Sequence, residues 1–421
     1  MPVHSRRGET LSHSPIRVLM PYARAAKAAG THVYHLNIGQ PDIPTPPEAL
    51  DAIRKNSETI IPYGPSEGLP TLREKVAQYY EKFAGSISPN DVFVTTGASE
   101  AILFALFSCC DEFDEVIIPE PFYANYLGFG HTSSIRIVPI PSSIETEFQL
   151  PGVEKFEELI TPTTKAIFLC NPGNPTGCLY SKEELAQLMK LVIKYDLFLI
   201  VDEVYREFCY DEKFTSVLSF PDTHEHVIVI DSISKVFSSC GARVGFLVTR
   251  NKAIQKVVEK YAQLRLCPPY YGQKLAEVCY DYAEDYIRDA KAEYTKRRTI
   301  LYESLKQIEG VKCYLPKAAF YNMTQLPVTD ANDFCKWLLT DFTHHGSTVM
   351  LAPGSGFYLH KAYGLNQVRI AYILNEHDLR ESVECLKIAL DRYNNRGKEG
   401  IINHYVTEAP VKRVLAPSND M

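Results

Sequence analysis

The chain has 421 residues, a formal net charge of −7 at pH 7 and 45% hydrophobic residues, enough for two or three domains with large cores. The negative charge argues against a nucleic-acid partner and against an acidic membrane surface. Eleven scattered cysteines indicate free thiols in a reducing compartment. The N-terminus lacks the apolar core of a signal peptide, and no apolar segment is long enough to span a membrane, so we expect a soluble, cytoplasmic protein.

The first predicted elements are a polar arm, a short helix over residues 16–29 and an irregular proline-rich stretch at 37–44. From about residue 70, short apolar segments alternate with helical patterns such as 99–109 and 182–195. Seven of these segments are predicted strands: 92–95, 115–118, 135–140, 166–170, 197–201, 227–230 and 245–248. This alternation is typical of an α/β fold with a mostly parallel sheet covered on both faces.

The second half of the chain predicts a smaller α/β unit. One extended helix is predicted over residues 272–308, followed by strands at 311–315, 319–324, 348–351 and 367–370. The last residues have little periodicity. The predicted organisation is an arm with part of the small domain, a large domain, the rest of the small domain and a tail, at 1–48, 49–290, 291–394 and 395–421.

A lysine with phosphate-binding neighbours follows the predicted strand at 227–230. Lys235 lies between Ser232, Ser234 and later hydroxyls, and Arg243 is eight residues downstream. A lysine amine can condense with a carbonyl, and hydroxyls and a guanidinium can hold a phosphate. Pyridoxal phosphate needs both groups. The alternative is a surface lysine in a polar loop.

Two further turns follow predicted strands. Gly97 and Ala98 form a small-residue turn before a helix start at Ser99, where backbone N–H groups can approach an anion. The alternative is an ordinary turn capped by Ser99. In segment 171–177, prolines and glycines fix the backbone where ligands bind in open α/β sheets, and Asn174 offers an amide donor. The alternative is a rigid surface turn.

Charged residues also occur in the predicted strands. Asp202 ends one of them, where a carboxylate is costly unless it pairs with a positive group such as a protonated pyridine nitrogen. Tyr205 is placed to donate to a ring oxygen. The alternatives are a helix cap and a packing tyrosine. Arg369 suits bidentate binding of a carboxylate, or else a salt bridge within the sheet.

Other common chemistries lack their motifs. The histidines of His224-Glu225-His226 and the pair His344-His345 do not have the spacing of a metal site, so we interpret them as solvated and expect no metal. The Gly-x-Ser-x-Gly motif of one large class of Ser–His–Asp hydrolases is absent.

Taken together and in order, these motifs resemble the class I/II aminotransferases, which are fold-type I pyridoxal-phosphate enzymes. The resemblance covers about residues 15–393 and rests on Asn-Pro-Gly-Asn-Pro-Thr-Gly at 171–177, Asp-Glu-Val-Tyr at 202–205 and Ser-Ile-Ser-Lys at 232–235 with its trailing arginine. The segment 37–42 is similar to that of bacterial aspartate aminotransferases. The family implies pyridoxal 5′-phosphate as cofactor and a large domain with a mostly parallel seven-stranded sheet between helices, plus a smaller α/β domain.

The resemblance also implies residue roles. Lys235 is matched to the lysine that binds the cofactor covalently and moves the substrate proton, and Asp202 to the partner of the pyridine nitrogen. Tyr205 and Asn174 are matched to the contacts of the ring oxygen, and Tyr123 to the aromatic residue that stacks on the ring. The implied phosphate site consists of Gly97, Ala98, Ser99, Ser232, Ser234 and Arg243.

Substrate and partner contacts follow from the same resemblance. Arg369, with Gly39 and Asn174, is matched to the site of the substrate α-carboxylate. Tyr63 is matched to a tyrosine that reaches the phosphate of a partner subunit, which implies a homodimer with shared active sites.

The implied reaction transfers an amino group between an L-amino acid, with aspartate or glutamate favoured, and a 2-oxo acid such as 2-oxoglutarate. Some aspartate-specific relatives have a lysine where this chain has the uncharged Ser99. An aromatic, alanine or broad substrate range is therefore an alternative. A carbon–sulfur lyase is a second alternative, which would release ammonia and pyruvate without a 2-oxo acid. A catalytically silent binding protein is a third.

Overall fold

The structure is a computed structural model that describes residues 2–11, 14–221 and 223–396. The predicted tail at 395–421 lies outside the described residues except for its first two positions. The described helices are α1 Arg6–Thr10, α2 Met20–Ala28, α3 Pro47–Arg54, α4 Pro70–Ala84, α5 Ala98–Cys109, α6 Asn125–Thr132, α7 Val153–Glu157, α8 Lys182–Lys194, α9 Ile233–Val236, α10 Lys252–Arg265, α11 Tyr270–Asp281, α12 Ala283–Leu305, α13 Ala331–Thr340 and α14 Glu376–Asn394.

The strands of the described residues form three sheets. Their bounds are β1 His32–His35, β2 Val92–Thr95, β3 Glu115–Glu120, β4 Arg136–Pro141, β5 Thr164–Cys170, β6 Phe198–Asp202, β7 Val227–Ser232, β8 Gly245–Val248, β9 Tyr321–Gln325, β10 Ser347–Met350, β11 Ala352–Pro353 and β12 Gln367–Ala371.

The largest sheet has seven strands in the order β2-β8-β7-β6-β5-β3-β4, and all seven predicted strands are present in it. Only β8 runs antiparallel to its neighbours, so the prediction of a mostly parallel sheet is confirmed. Alternate residues face opposite cores: Val201 packs with α4, α8 and α11, whereas Ile200 packs with α5, α6 and α10. Helices therefore cover both faces, as the period of two along each strand requires.

A second core is built from the two ends of the chain. β1 pairs in parallel with β10, while β11, β12 and β9 form an antiparallel sheet. Buried residues of α2, α12, α13 and α14 pack with these strands. The segment between β1 and α3 passes from this core to the large sheet and brings Gly39 to the edge of both.

Three sequence predictions about elements need correction. The helix predicted at 16–29 begins at Met20, because Pro21 has no N–H and fits only in a first turn. The helix predicted at 272–308 is broken at Tyr282, whose φ of −110° and ψ of 15° are not helical. Residues 311–315 form no strand; Lys312 makes one isolated bridge, and the Asn322 amide donates to the Tyr314 carbonyl in place of a ladder partner.

In the described part of the chain, no helix has the length and apolar character needed to cross a bilayer. All eleven cysteines lie among the described residues, and none of them forms a disulfide.

Candidate active site

A cavity of about 590 Å³ opens where the carboxyl ends of β5, β6 and β7 meet the second core. This is the edge of an open α/β sheet at which ligands bind. Twelve of the residues selected from the sequence line it: Gly39, Ala98, Ser99, Tyr123, Asn174, Asp202, Tyr205, Ser232, Ser234, Lys235, Arg243 and Arg369.

Lys235 lies in α9, a single turn that follows β7 directly. Its Nζ donates to the carbonyl oxygen of Gly39 at 2.8 Å and lies 4.0 Å from the Cys240 Sγ. A side chain at Gly39 would collide with the Tyr321 hydroxyl, since a Cβ there would come within 1.8 Å of it. Glycine therefore leaves room for Tyr321 beside the backbone whose carbonyl binds Lys235. The lysine amine faces the cavity, and no carboxylate lies within ion-pair distance of it among the described residues.

Asp202 ends β6 and is 5% exposed. It accepts a hydrogen bond from the Tyr126 hydroxyl at 2.8 Å and a longer one from the Val204 N–H at 3.3 Å. Burial raises the pKa of Asp202 to about 6, although the Tyr126 and Val204 donors act to lower it. Both partners are neutral, so this carboxylate is suited to pairing with a cationic group of a ligand.

The start of α5 and Arg243 together offer donors suited to an anion. The N-cap residue Gly97 has a φ of 74°, and no side chain caps the helix. A Cβ at Gly97 would lie 2.3 Å from the Arg243 Nη2, so only glycine leaves room for the guanidinium. Arg243 itself is held by the carbonyl oxygen of Cys240 at 3.0 Å. Uncapped N–H groups, a guanidinium and the nearby Ser232 and Ser234 fit a phosphate group.

Arg369 lies on β12 and is 1% exposed. It donates to the Asn174 Oδ1 at 3.0 Å and to the Asn37 carbonyl oxygen at 2.6 Å, and its guanidinium carbon lies 4.5 Å from the centre of the Tyr321 ring. Its buried Nε has no hydrogen-bond partner among the described residues. A buried guanidinium with spare donors is suited to binding a carboxylate.

Aromatic hydroxyls complete the wall. The Tyr205 and Tyr321 hydroxyls lie 2.8 Å apart, and the Asn174 amide reaches Tyr205 at 3.5 Å. Tyr123 accepts a hydrogen bond from the Asn125 amide at 2.7 Å. The ring of Tyr123 thus lines the cavity beside the end of β3.

Two selected residues do not line the cavity. Gly97 lies behind Ala98, against Arg243, and Tyr63 is 80% exposed. Sequence reasoning missed Tyr126, Tyr321 and Asn37, which hold Asp202, Tyr205 and Arg369. Tyr126 lies in the same segment as Tyr123, and only the fold shows that its hydroxyl reaches β6. Within the described residues, no group of histidine, cysteine and acidic side chains has the arrangement needed for a metal ion.

The comparisons with known proteins agree on one family. Residues 31–386 match the family model described as aminotransferase class I and II. The aspartate aminotransferase of Sulfurisphaera tokodaii is 31% identical over 376 residues, which is 87% of this chain and 92% of that protein. The aromatic-amino-acid aminotransferase 2 of Thermococcus litoralis is 28% identical over 92% of this chain and 98% of its own length. The structure of an alanine aminotransferase from Pyrococcus furiosus has a TM-score of 0.85 and 29% identity, covering 93% of this chain and all of that one.

Proposed function

The chain belongs to the class I and II aminotransferases, which are pyridoxal-phosphate-dependent transaminases, and we propose that it transfers an amino group between L-aspartate or L-glutamate and a 2-oxo acid such as 2-oxoglutarate. The observation that carries the proposal is the composition of the cavity, which brings an amine, a buried carboxylate and guanidinium groups together. The names of similar proteins include aspartate, aromatic and alanine enzymes, so the choice of dicarboxylic substrates is our inference from the basic character of the cavity.

The residues present fit the cofactor. Bound pyridoxal phosphate supplies an aldehyde that reacts with amines and a ring that accepts the electrons left when the substrate Cα loses its proton. Arg243, Ser232, Ser234 and the first N–H groups of α5 would hold the phosphate. Asp202 would keep the ring nitrogen protonated, because its carboxylate is buried beside neutral partners only. Tyr205 and Asn174 would contact the ring oxygen, and Tyr123 the ring face.

Substrate handling rests on Lys235 and Arg369. Arg369 would bind the α-carboxylate in two-point fashion through donors that Asn174 and Asn37 already orient, while Gly39 lines the opposite side. This fixes Cα near Lys235. The Lys235 Nζ would take the proton from Cα and return it on the cofactor side, acting as general base and then general acid. Tyr205 and Tyr321, whose hydroxyls are in contact and complete the cavity wall, would exclude water from that transfer.

We further propose a homodimer in which Tyr63 reaches the partner's cofactor phosphate. Two segments joined by the hydrogen bond from the Tyr270 hydroxyl to Glu58 expose large apolar side chains, which a second copy of the chain would cover. They are Ile60, Tyr63, Leu264 and Leu266. Sedimentation of the holoenzyme at twice the 47.6 kDa chain mass would support the dimer, and a monomer with full activity would exclude it.

The first experiment is the visible spectrum of the holoenzyme before and after addition of L-aspartate, L-alanine and L-phenylalanine in separate samples. We expect L-aspartate to convert the absorbance to that of pyridoxamine phosphate. Lys235→Ala should keep bound cofactor but lose about 10³-fold or more in turnover, since it loses both the reactive amine and the proton carrier. Near-normal turnover by that variant would contradict the proposed role of Lys235. Release of ammonia and pyruvate without a 2-oxo acid would identify a lyase instead.

A further inference from the structure

The cavity has more positive charge than its cofactor and one α-carboxylate require. Of the described residues, four basic side chains line it, namely Arg17, Lys235, Arg243 and Arg369, against the single carboxylate of Asp202. Lys235, Arg243 and Arg369 have roles in the proposed function, and Arg17 has none. We propose that Arg17 binds the second, distal carboxylate of a dicarboxylic substrate and so determines specificity. This inference rests on the function proposed above and deepens it.

The backbone of Arg17 is connected to the carboxylate-binding residue Arg369 through one asparagine. The preceding residue, Ile16, accepts a hydrogen bond at its carbonyl oxygen from the Asn37 amide at 3.3 Å. The carbonyl oxygen of Asn37, in turn, accepts from the Arg369 Nη2 at 2.6 Å. Asn37 is fully buried, and its hydrogen bond with Arg369 is buried with it. The position of Arg17 is therefore coupled to the group that would hold the α-carboxylate.

Packing fixes the same segment from its other side. Pro15 lies so close to Gly356 that a Cβ at that glycine would come within 2.3 Å of the proline Cβ. Ile16 packs against the cluster that contains Phe357, whose ring centre lies 5.0 Å from the Arg369 guanidinium carbon. The turn that carries Arg17 is also closed by the hydrogen bond from its N–H to the Ser14 carbonyl oxygen at 2.9 Å. An arginine on such an anchored turn can act as a specific binding group.

The guanidinium of Arg17 is available for a ligand. Within the described residues, no carboxylate lies within ion-pair distance of it and no side-chain or backbone acceptor binds it. It borders the cavity near Tyr123, and its positive charge acts to lower the pKa of the Tyr123 hydroxyl against the larger, raising effect of burial. Ser14, Gln40 and Asn125 line the same cavity and offer further hydrogen bonds to a carboxylate. A monocarboxylic substrate would leave all of these groups unused.

The variant Arg17→Gln tests the proposal in the holoenzyme. It should lower kcat/KM for L-aspartate about 10- to 100-fold, as expected for loss of a charge-assisted hydrogen bond, and change that for L-alanine less than about twofold. Inhibition by succinate, followed through the cofactor absorbance, should weaken by a similar factor, whereas inhibition by butyrate should not. Arg17→Lys should recover part of the aspartate activity. Arg24→Gln is the matched control, because Arg24 is exposed on α2 and does not line the cavity.

The outcomes separate the two proposals. The wild-type enzyme could use L-aspartate while Arg17→Gln lowers turnover of L-aspartate and L-alanine by the same factor, or lowers turnover of neither substrate. In either case the role of Arg17 is wrong while the proposed function stands. If the wild-type enzyme turns over L-alanine or L-phenylalanine but no dicarboxylic acid, both proposals are wrong. Equal loss in Arg17→Gln and Arg24→Gln would also overturn the role of Arg17, because it would reflect surface charge alone.

Discussion

Two buried carboxylates at the ends of neighbouring strands differ in what neutralises them. Asp231, on β7, binds the Arg206 guanidinium at 2.6 Å and accepts from the Tyr80 hydroxyl at 3.1 Å. Asp202, on β6, faces the opposite core, where its partners are the Tyr126 hydroxyl and a backbone N–H. Both side chains are nearly inaccessible to water. One carboxylate thus has a cation supplied by the protein, and the other has none within ion-pair distance among the described residues.

The difference separates a structural charge from a charge that serves a ligand. Burial of an unpaired carboxylate is unfavourable, and a folded protein keeps one where a function requires it. Burial raises the pKa of Asp202 to about 6, and that of Asp231 is raised too, but there the Arg206 charge counteracts burial. Under the proposed function, the missing cation at Asp202 is the protonated ring nitrogen of the cofactor. Three predictions test this contrast.

The largest expected effect is on stability, at the structural pair. Asp231→Asn should lower the free energy of unfolding of the apoprotein by about 3 kcal/mol, because Arg206 is 4% exposed and would lose its nearest carboxylate, keeping only the more distant Glu207 at 3.7 Å. Denaturant titrations of variant and wild type measure the difference. The paired replacement Asp231→Leu with Arg206→Met should cost less than the single change, since no buried charge is left unpaired. A single variant as stable as wild type would show that the pair is not needed to neutralise Asp231.

The next effect is on catalysis, at the other carboxylate. Asp202→Asn should lower kcat/KM for transamination about 1000-fold while cofactor remains bound, because the ring nitrogen would lose the charge that keeps it protonated. Asp231→Asn serves as the matched control and should stay within about tenfold of wild-type activity. Steady-state kinetics with L-aspartate and 2-oxoglutarate measure both. Equal losses in the two variants would erase the proposed distinction between them.

The sequence predicts the central sheet well because its strands are uninterrupted apolar runs. Seven such runs, including those at β5, β6 and β7, correspond to the seven observed strands. The second core was harder to predict, since its elements are held by contacts distant in sequence. α12 passes from one core to the other, since Ala283 and Ile287 pack on the core that α11 also contacts, whereas Ala290 and Tyr294 pack on the second core. No local signal encodes that division.

The site shows the same limit. Lys235, Asp202 and Asn174 were selected because each follows an apolar strand, and the carboxyl ends of parallel strands meet at one edge. The positioning contacts were not predicted. Tyr126 to Asp202 spans 76 residues and Arg369 to Asn37 spans 332, distances over which a single sequence carries no pairing information. Arg17 was missed for a related reason: the sequence predicts a helix over 16–29, whereas that helix begins at Met20 and Arg17 lies in a turn held by contacts with the distant Asn37 and Gly356.

The smallest expected effect is a pH dependence that reports the charge state of Asp202. Its pKa of about 6 in the apoprotein lies above the ordinary value near 3.9, so the folded form binds this proton more tightly than the unfolded chain does. The resulting stabilisation of the folded protein amounts to about 3 kcal/mol. It is fully present below about pH 4 and is lost as the pH rises through 6. Burial also raises the pKa of Glu203, to about 8, so the Asp202 contribution must be taken as the difference between wild type and Asp202→Asn.

Unfolding titrations from pH 4 to 8 should show that difference in the apoprotein and a smaller one in the holoenzyme, because a bound ring cation would hold the carboxylate ionised. Equal pH dependence in both forms would mean that the cofactor brings no positive charge to Asp202.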